Sequence, residues 1–335
     1  MKFQIAASAL LAASTLVQAS PVIFETGNIS NISNGSNHSN STFHNGTNAT
    51  DFVEPKLKVI VTGGTYTLKN SSDVEYNFYG NSSNALNFTQ LYEVAEIVNK
   101  TLDNDNYYGV VVVANGNSVE SLGFFSTILF DSIKPVVVAQ DADYGLLVAN
   151  NTGAYGSLVV SNDYLVYSGA FSPAVSRYAT DAASGVPIAA CGDDLSVNWF
   201  FDDSTPMFTD PFSVIRNQFP ELTNANVTTE FNFTPRVPIV SQSDCSLELL
   251  STLEAAADGV VIISTEGDAR SLDLSSLSIP VVFAKGDQVP YLSSMYLPEG
   301  TCGAGYLSPL KAQLLLTVAL ANGISSAEEL ITIFP

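Results

Sequence analysis

Leu57-Lys58-Val59-Ile60-Val61-Thr62-Gly63-Gly64-Thr65 is the stretch from which the fold is read. An apolar run, mostly β-branched, interrupted only by Lys58 and closed by paired glycines is a strand of a buried parallel sheet followed by a tight turn. The glycines predict a strand-to-helix turn, with Thr65 as its polar residue. Two runs of the same kind follow, Val110 to Ala114 and Pro135 to Ala139. Between the first two, residues 86–102 place Leu91, Val94, Ala95 and Val98 on one helical face. Val119 to Phe130 reads as the next helix, and Asn162-Asp163 as a hairpin turn between Ser157–Ser161 and Tyr164–Ser168.

The pattern restarts near Val237, with strands expected at 237–240, 259–264 and 279–284. Ser308-Pro309 supplies an N-cap and a first-turn proline for a helix over 310–321. The expected fold class is α/β: a larger N-terminal parallel-sheet domain at 57–222, a linker at 223–236 and a smaller C-terminal α/β domain at 237–335.

Composition removes several functions. Lys and Arg number 12 against 33 Asp and Glu, a net charge of -21, so no basic surface is present to neutralise phosphates and nucleic acid is excluded as a partner. The two histidines, His38 and His44, lie in a polar stretch that cannot pack. The folded part therefore offers no imidazole for a Ser-His-Asp or Cys-His hydrolase or for a histidine-bound metal; neither a metal nor a cofactor is expected.

Residues 1–19 carry Lys2, an apolar run from Ile5 to Val17 and a short-residue ending, Val17-Gln18-Ala19: a secretory signal peptide whose removal leaves a charge of -22. No later stretch reaches membrane-spanning length, and residues 328–335 lack the features of a lipid-anchoring signal, so no membrane anchor is expected. Three cysteines, Cys191, Cys245 and Cys302, are too few for a disulfide framework. Residues 20–56 read as a disordered, N-glycosylated segment in which Asn28, Asn31, Asn34, Asn37, Asn40, Asn45 and Asn48 each open an Asn-x-Ser/Thr triplet. Asn70, Asn81, Asn87, Asn99, Asn150, Asn226 and Asn232 are further acceptors.

The turn Thr62-Gly63-Gly64-Thr65, the run from Gly109 to Gly116, Phe124-Phe125, Lys134-Pro135-Val136-Val137 and the closing Gly303-Ala304-Gly305-Tyr306-Leu307-Ser308-Pro309 resemble L-asparaginases in order and spacing. With the signal, the triplet-rich spacer and Trp199-Phe200-Phe201-Asp202, the whole chain is similar to a group of secreted, asparaginase-like yeast glycoproteins, one induced by nutrient limitation and its paralogue involved in spore wall maturation. The resemblance implies an extracellular or wall-associated role in starvation or stress.

It also implies where a catalytic apparatus would stand. Thr65 occupies the position of the threonine nucleophile. Asn115, Asn117 and Ser118 replace the His, Thr and Asp of the family's second motif, and Ser83 takes the place of a substrate-binding serine. A carboxamide neither attacks nor accepts a proton, and a hydroxyl without a base is a poor nucleophile. No lysine occurs between Lys134 and Lys285, where the family places one, and Arg177 titrates too high to shuttle protons. Thr65, Asn117, Ser118 and Ser83 are therefore vestigial, and no catalytic residue is expected.

Other constellations read as structure. Asp193-Asp194 and Asp202-Asp203 are solvated turn acids rather than a glycosidase pair. Asp141-Ala142-Asp143 begins like a calcium loop, but Leu146, Leu147 and Val148 stand where later ligands are needed. Trp199 and Phe200 beside Val197 read as a core strand. The expected protein is secreted, extracellular or in the cell wall, a non-enzymatic asparaginase fold with wall components as partners. The alternatives are an amidohydrolase with rearranged chemistry through Thr65 or Ser118, and a pocket that binds an amino acid without turnover.

Overall fold

Every long valine run of the sequence is an inner strand covered on both faces. The computed structural model describes residues 54–68, 71–130, 132–174, 185–200, 235–264, 269, 272–286 and 291–335, all within one compact unit, Phe52–Pro335. The larger sheet contains β1 (Lys56–Val61), β2 (Val74–Phe78), β3 (Tyr107–Val113), β4 (Val136–Ala139), β5 (Ser157–Val160), β6 (Leu165–Ser168), β7 (Pro187–Cys191) and β8 (Val197–Trp199). Its order is β2-β1-β3-β4-β5-β6-β7-β8; the first five strands are parallel and the last three antiparallel. The sheet is thus mixed rather than parallel throughout, because the Asn162-Asp163 turn reverses the chain into β6, as its composition predicts.

Strands β9 (Ile239–Ser241), β10 (Val260–Ser264), β11 (Val281–Lys285) and β12 (Cys302–Gly303) form a second, wholly parallel sheet in sequential order. Helices α1 (Phe88–Leu102), α2 (Val119–Leu129), α3 (Ala142–Ala149), α4 (Leu247–Ala256), α5 (Pro309–Ala321) and α6 (Ala327–Ile333) cover the two sheets. Asn87 caps α1 by accepting from the Gln90 amide, so this helix begins two residues later than its apolar periodicity suggests. The Ser308 cap and Pro309 open α5 as expected.

Alternation along the strands sorts the core. Ile60, Val110, Val112, Val136 and Val138 point to one face and pack with α1, α2 and, through α5, with Val261, Val282 and Ala284 of the second sheet. Leu57, Val59, Val61, Val111, Val113 and Val137 point to the other face, against Ala142, Leu146 and Val148 of α3. Both α2 and α5 belong to the core shared by the two sheets, which buries even Glu120 on α2 and Lys311 on α5.

Two readings change, and that of Asp141 as structure rather than a calcium site gains its detail. The Gly63-Gly64 turn leads not to a helix but to β2, the outer neighbour of β1. Trp199 lies on β8, the last strand of the sheet, where it is half-buried and packs with Val197 on the edge of the α3-side core, while Phe200 is exposed. Asp141 is the N-cap of α3, its carboxylate accepting from the Asp143 amide at 2.8 Å, so the segment like a calcium loop is a helix start. Asp194 accepts from the amide and hydroxyl of Ser196 in the turn between β7 and β8, as a turn acid does. Arg177, Asp202 and Asp203, most of the linker at 223–236, residues 1–53 and the acceptors Asn70, Asn226 and Asn232 lie outside the described residues.

Candidate functional site

In open α/β sheets, ligands bind outside the carboxyl ends of the strands where the strand order reverses. With the order β2-β1-β3-β4-β5, that place is the crevice between β1 and β3, flanked by the turn 62–65 and the turn 114–118. The positions singled out by the sequence map to these two turns, apart from Ser83, which lies in the segment that leads to α1.

The first turn is held by backbone. Thr62 donates from its amide and its hydroxyl to the Val113 carbonyl, at 2.8 and 3.0 Å. A Cβ on Gly63 would lie 2.6 Å from the Ser82 carbonyl oxygen. Gly64 adopts φ +73°, and a Cβ there would meet the Gln140 and Ala114 carbonyl oxygens at 2.5 and 2.6 Å. Both glycines are thus required by close approach, and Gly64 also by its left-handed backbone. Thr65 is drawn toward β4: its amide donates to the Gln140 carbonyl and its own carbonyl accepts from the Ala142 amide, forming an isolated bridge with Asp141. The Thr65 side chain is exposed, and no basic group among the described residues hydrogen-bonds its hydroxyl.

The second turn holds protein. The Asn115 carboxamide donates to the carbonyls of Ser82 and Asn84, at 2.7 and 2.9 Å, and its oxygen accepts from the Asn117 amide at 2.9 Å. Asn117 donates to the Ser83 carbonyl at 3.2 Å. Ser118 is fully buried, and its Oγ accepts from the Leu86 amide at 3.1 Å while facing the Asn115 oxygen at 3.4 Å. Segment 82–86 is therefore fastened to the turn by the very side chains that the sequence singled out. Ser83, Asn117 and Ser118 come together, but Ser83 takes part through its backbone carbonyl, and Thr65 is held apart on the Gln140 side. Chemically the arrangement is a brace: a buried hydroxyl already accepting a hydrogen bond, the Asn115 carboxamide engaged at both ends, an exposed Asn117 carboxamide donating to the Ser83 carbonyl, and one exposed threonine. No group of three or more His, Cys, Asp or Glu side chains able to hold a metal occurs among the described residues.

A second polar cluster escaped the sequence reading. The Ser308 hydroxyl donates to the Glu120 carboxylate, and Lys311 Nζ donates to the carbonyls of Ala170 and Ser172, all within the interior between α2 and α5. Desolvation holds the Lys311 ammonium down at about 8, opposed by the nearby Glu120 charge and reinforced by Lys285. One signal was present: Lys311 is the third residue of its helix, where an acceptor such as Glu or Gln normally closes a capping box and a cation opposes the helix dipole.

Over 191 residues, 56% of this chain, the sequence is 40% identical to Protein YGP1 of Saccharomyces cerevisiae, covering 53% of that protein. Over 198 residues, 54% of this chain, it is 33% identical to the Sporulation-specific wall maturation protein of the same yeast, covering 58% of it. No protein-family profile matches the chain. The chain spans about half the length of the curated relatives it matches. Over those stretches it is a homologue of the two yeast proteins, the second of which is named for wall maturation during sporulation.

Proposed function

We propose that the protein is a secreted, heavily N-glycosylated cell-wall-related protein with a degenerate asparaginase-like fold, acting in starvation or stress adaptation or in spore wall maturation without hydrolysing an amide. The observation that carries the non-enzymatic part is the engagement of Asn115, Asn117 and Ser118 with the backbone of residues 82–86. A nucleophile needs a partner that takes its proton, and the second turn supplies carboxamides and a buried hydroxyl in place of one. Wall association is supported by the name of the 33% identical relative. The asparaginase likeness is supported by the position of the Thr62–Thr65 and Asn115–Ser118 turns on either side of the strand-order reversal.

Extracellular delivery rests on the signal peptide at residues 1–19, and glycosylation on the seven triplets between Asn28 and Asn48. Of the described acceptors, Asn81, Asn87 and Asn150 are exposed, which suits a glycan, whereas Asn99 is half-buried within α1. Fractionation of the producing cells tests the proposal. The chain is expected in the wall and medium as a species that shrinks sharply on enzymatic removal of N-glycans, and cells lacking it are expected to show altered wall or spore wall resistance. Intracellular retention of an unglycosylated chain contradicts it.

A further inference from the structure

Asparagine followed by glycine is the pair at which a chain most readily modifies itself, because a glycine amide, with no side chain to hinder it, attacks the neighbouring carboxamide. Four such pairs occur: Asn34-Gly35, Asn45-Gly46, Asn115-Gly116 and Asn322-Gly323. The first two lie outside the described residues, and the other two differ in both groups that the reaction uses.

In the second turn Gly116 is half-buried, and its amide donates to no acceptor among the described residues, so its nitrogen is available as the nucleophile. Asn115 Oδ1 accepts from the Asn117 amide at 2.9 Å and faces the Ser118 hydroxyl at 3.4 Å. These donors stand where negative charge develops as the carboxamide carbon is attacked, and donors so placed lower the barrier. At the end of α5 the arrangement is the reverse. The Gly323 amide donates to the Leu320 carbonyl at 3.0 Å, and Asn322 Oδ1 accepts no hydrogen bond among the described residues, while its Nδ2 donates to the Val318 carbonyl at 2.7 Å. Yet Asn322 and Gly323 are the more exposed pair.

We propose that Asn115-Gly116 is a site of spontaneous deamidation whose conversion releases segment 82–86 from the second turn. The Gly116 nitrogen gives its proton to hydroxide and bonds to Asn115 Cγ; the Cγ–Nδ2 bond breaks, and ammonia leaves with a proton from water. A second water opens the resulting succinimide at one carbonyl to aspartate or at the other to isoaspartate, so one water is consumed and one ammonia released, with no oxidant or reductant. The new carboxylate has no N–H to donate. It faces the Ser82 and Asn84 carbonyl oxygens, which the carboxamide holds at 2.7 and 2.9 Å, so two hydrogen bonds give way to repulsion between acceptors. The proposal rests on the contacts of the second turn and not on the wall-related role, which stands or falls on localisation.

The intact glycoprotein is held at pH 8 and sampled over days, each sample being digested at acidic pH and mapped by mass spectrometry while hydrogen exchange of segment 82–86 is read in parallel. The peptide carrying Asn115 is expected to gain one dalton, as aspartate and isoaspartate, ahead of the peptide carrying the more exposed Asn322. Exchange in segment 82–86 is expected to quicken in step with that gain. Gly116→Ala is expected to slow the conversion about ten-fold and to keep the starting exchange rate, since its Cβ would meet only the flexible Gln140 side chain, at 3.2 Å. Asn115→Asp is expected to show the fast exchange from the start. Conversion at Asn115 no faster than at Asn322, conversion indifferent to Gly116→Ala, or conversion that leaves the exchange of residues 82–86 unchanged overturns the proposal.

Discussion

Replacing Lys311 by methionine removes the one ammonium among the described residues that the core shared by the two sheets holds buried, and its consequence is best read as a pH slope. In the unfolded chain a lysine titrates near 10.5, whereas in the folded protein desolvation brings Lys311 to about 8. The groups that face it are Glu120, which favours the charged form, and Lys285, which opposes it. Between the two values the unfolded chain binds more protons than the folded one, so stability rises with pH across this window and is lost again as pH falls toward 8. From pH 7 to 9.5 the folded lysine becomes nearly neutral while the unfolded one remains mostly charged, which amounts to roughly 2 kcal/mol of added stability. Burial lifts the Cys302 thiol to about 12, and burial with the Glu93 carboxylate lifts Tyr79 to about 12. These act in the opposite sense above pH 9 and 10 respectively, but equally in both proteins, so the difference isolates Lys311. The assay is urea unfolding of wild type and Lys311→Met at pH 7 and 9.5. The wild type is expected to gain about 2 kcal/mol relative to the variant over that interval. Parallel pH dependence of the two proteins would refute the reasoning, since it would mean that the ammonium is solvated.

Other substitutions probe the crevice and the core separately. Gly64→Ala places a Cβ about 2.5 Å from two carbonyl oxygens at φ +73° and is expected to destabilise by more than ~2 kcal/mol in the same assay. Ser118→Ala leaves the buried Leu86 amide without its acceptor and is expected to cost about 1–3 kcal/mol, with segment 82–86 exchanging its amides faster. At pH 8 a thiol reagent is expected to label Cys191 and Cys245 in the native protein and to spare Cys302, which is 2% exposed; rapid labelling of all three would contradict the burial.

The inner strands were legible because burial on both faces writes an unbroken apolar run, as in Val110 to Val113. Helix starts were legible where a cap has a side chain to show it, as at Ser308. The β2 strand, Val74-Glu75-Tyr76-Asn77-Phe78, escaped because an outer strand that is half-exposed mixes polar and aromatic residues. For the opposite reason β8 was misjudged: its aromatic content suggested a core strand, while it is the last strand of the sheet, with Trp199 half-buried and its indole donating to Asn151. At the site, the sequence names the residues at the two turns but not their use. That Asn115 and Ser118 hold residues 82–86 depends on a contact across more than thirty positions, for which spacing gives no signal. The Glu120–Ser308 contact, across 188 positions, is hidden for the same reason.

Release of ammonia from L-asparagine and L-glutamine, by purified protein and by Thr65→Ala across acidic to neutral pH, tests the proposal of a non-catalytic crevice most directly. Turnover indistinguishable from buffer in both proteins is predicted, because no basic group among the described residues hydrogen-bonds the Thr65 hydroxyl and the second turn is bound to residues 82–86. Ammonia release that disappears with Thr65→Ala would contradict the account and make the brace a working active site.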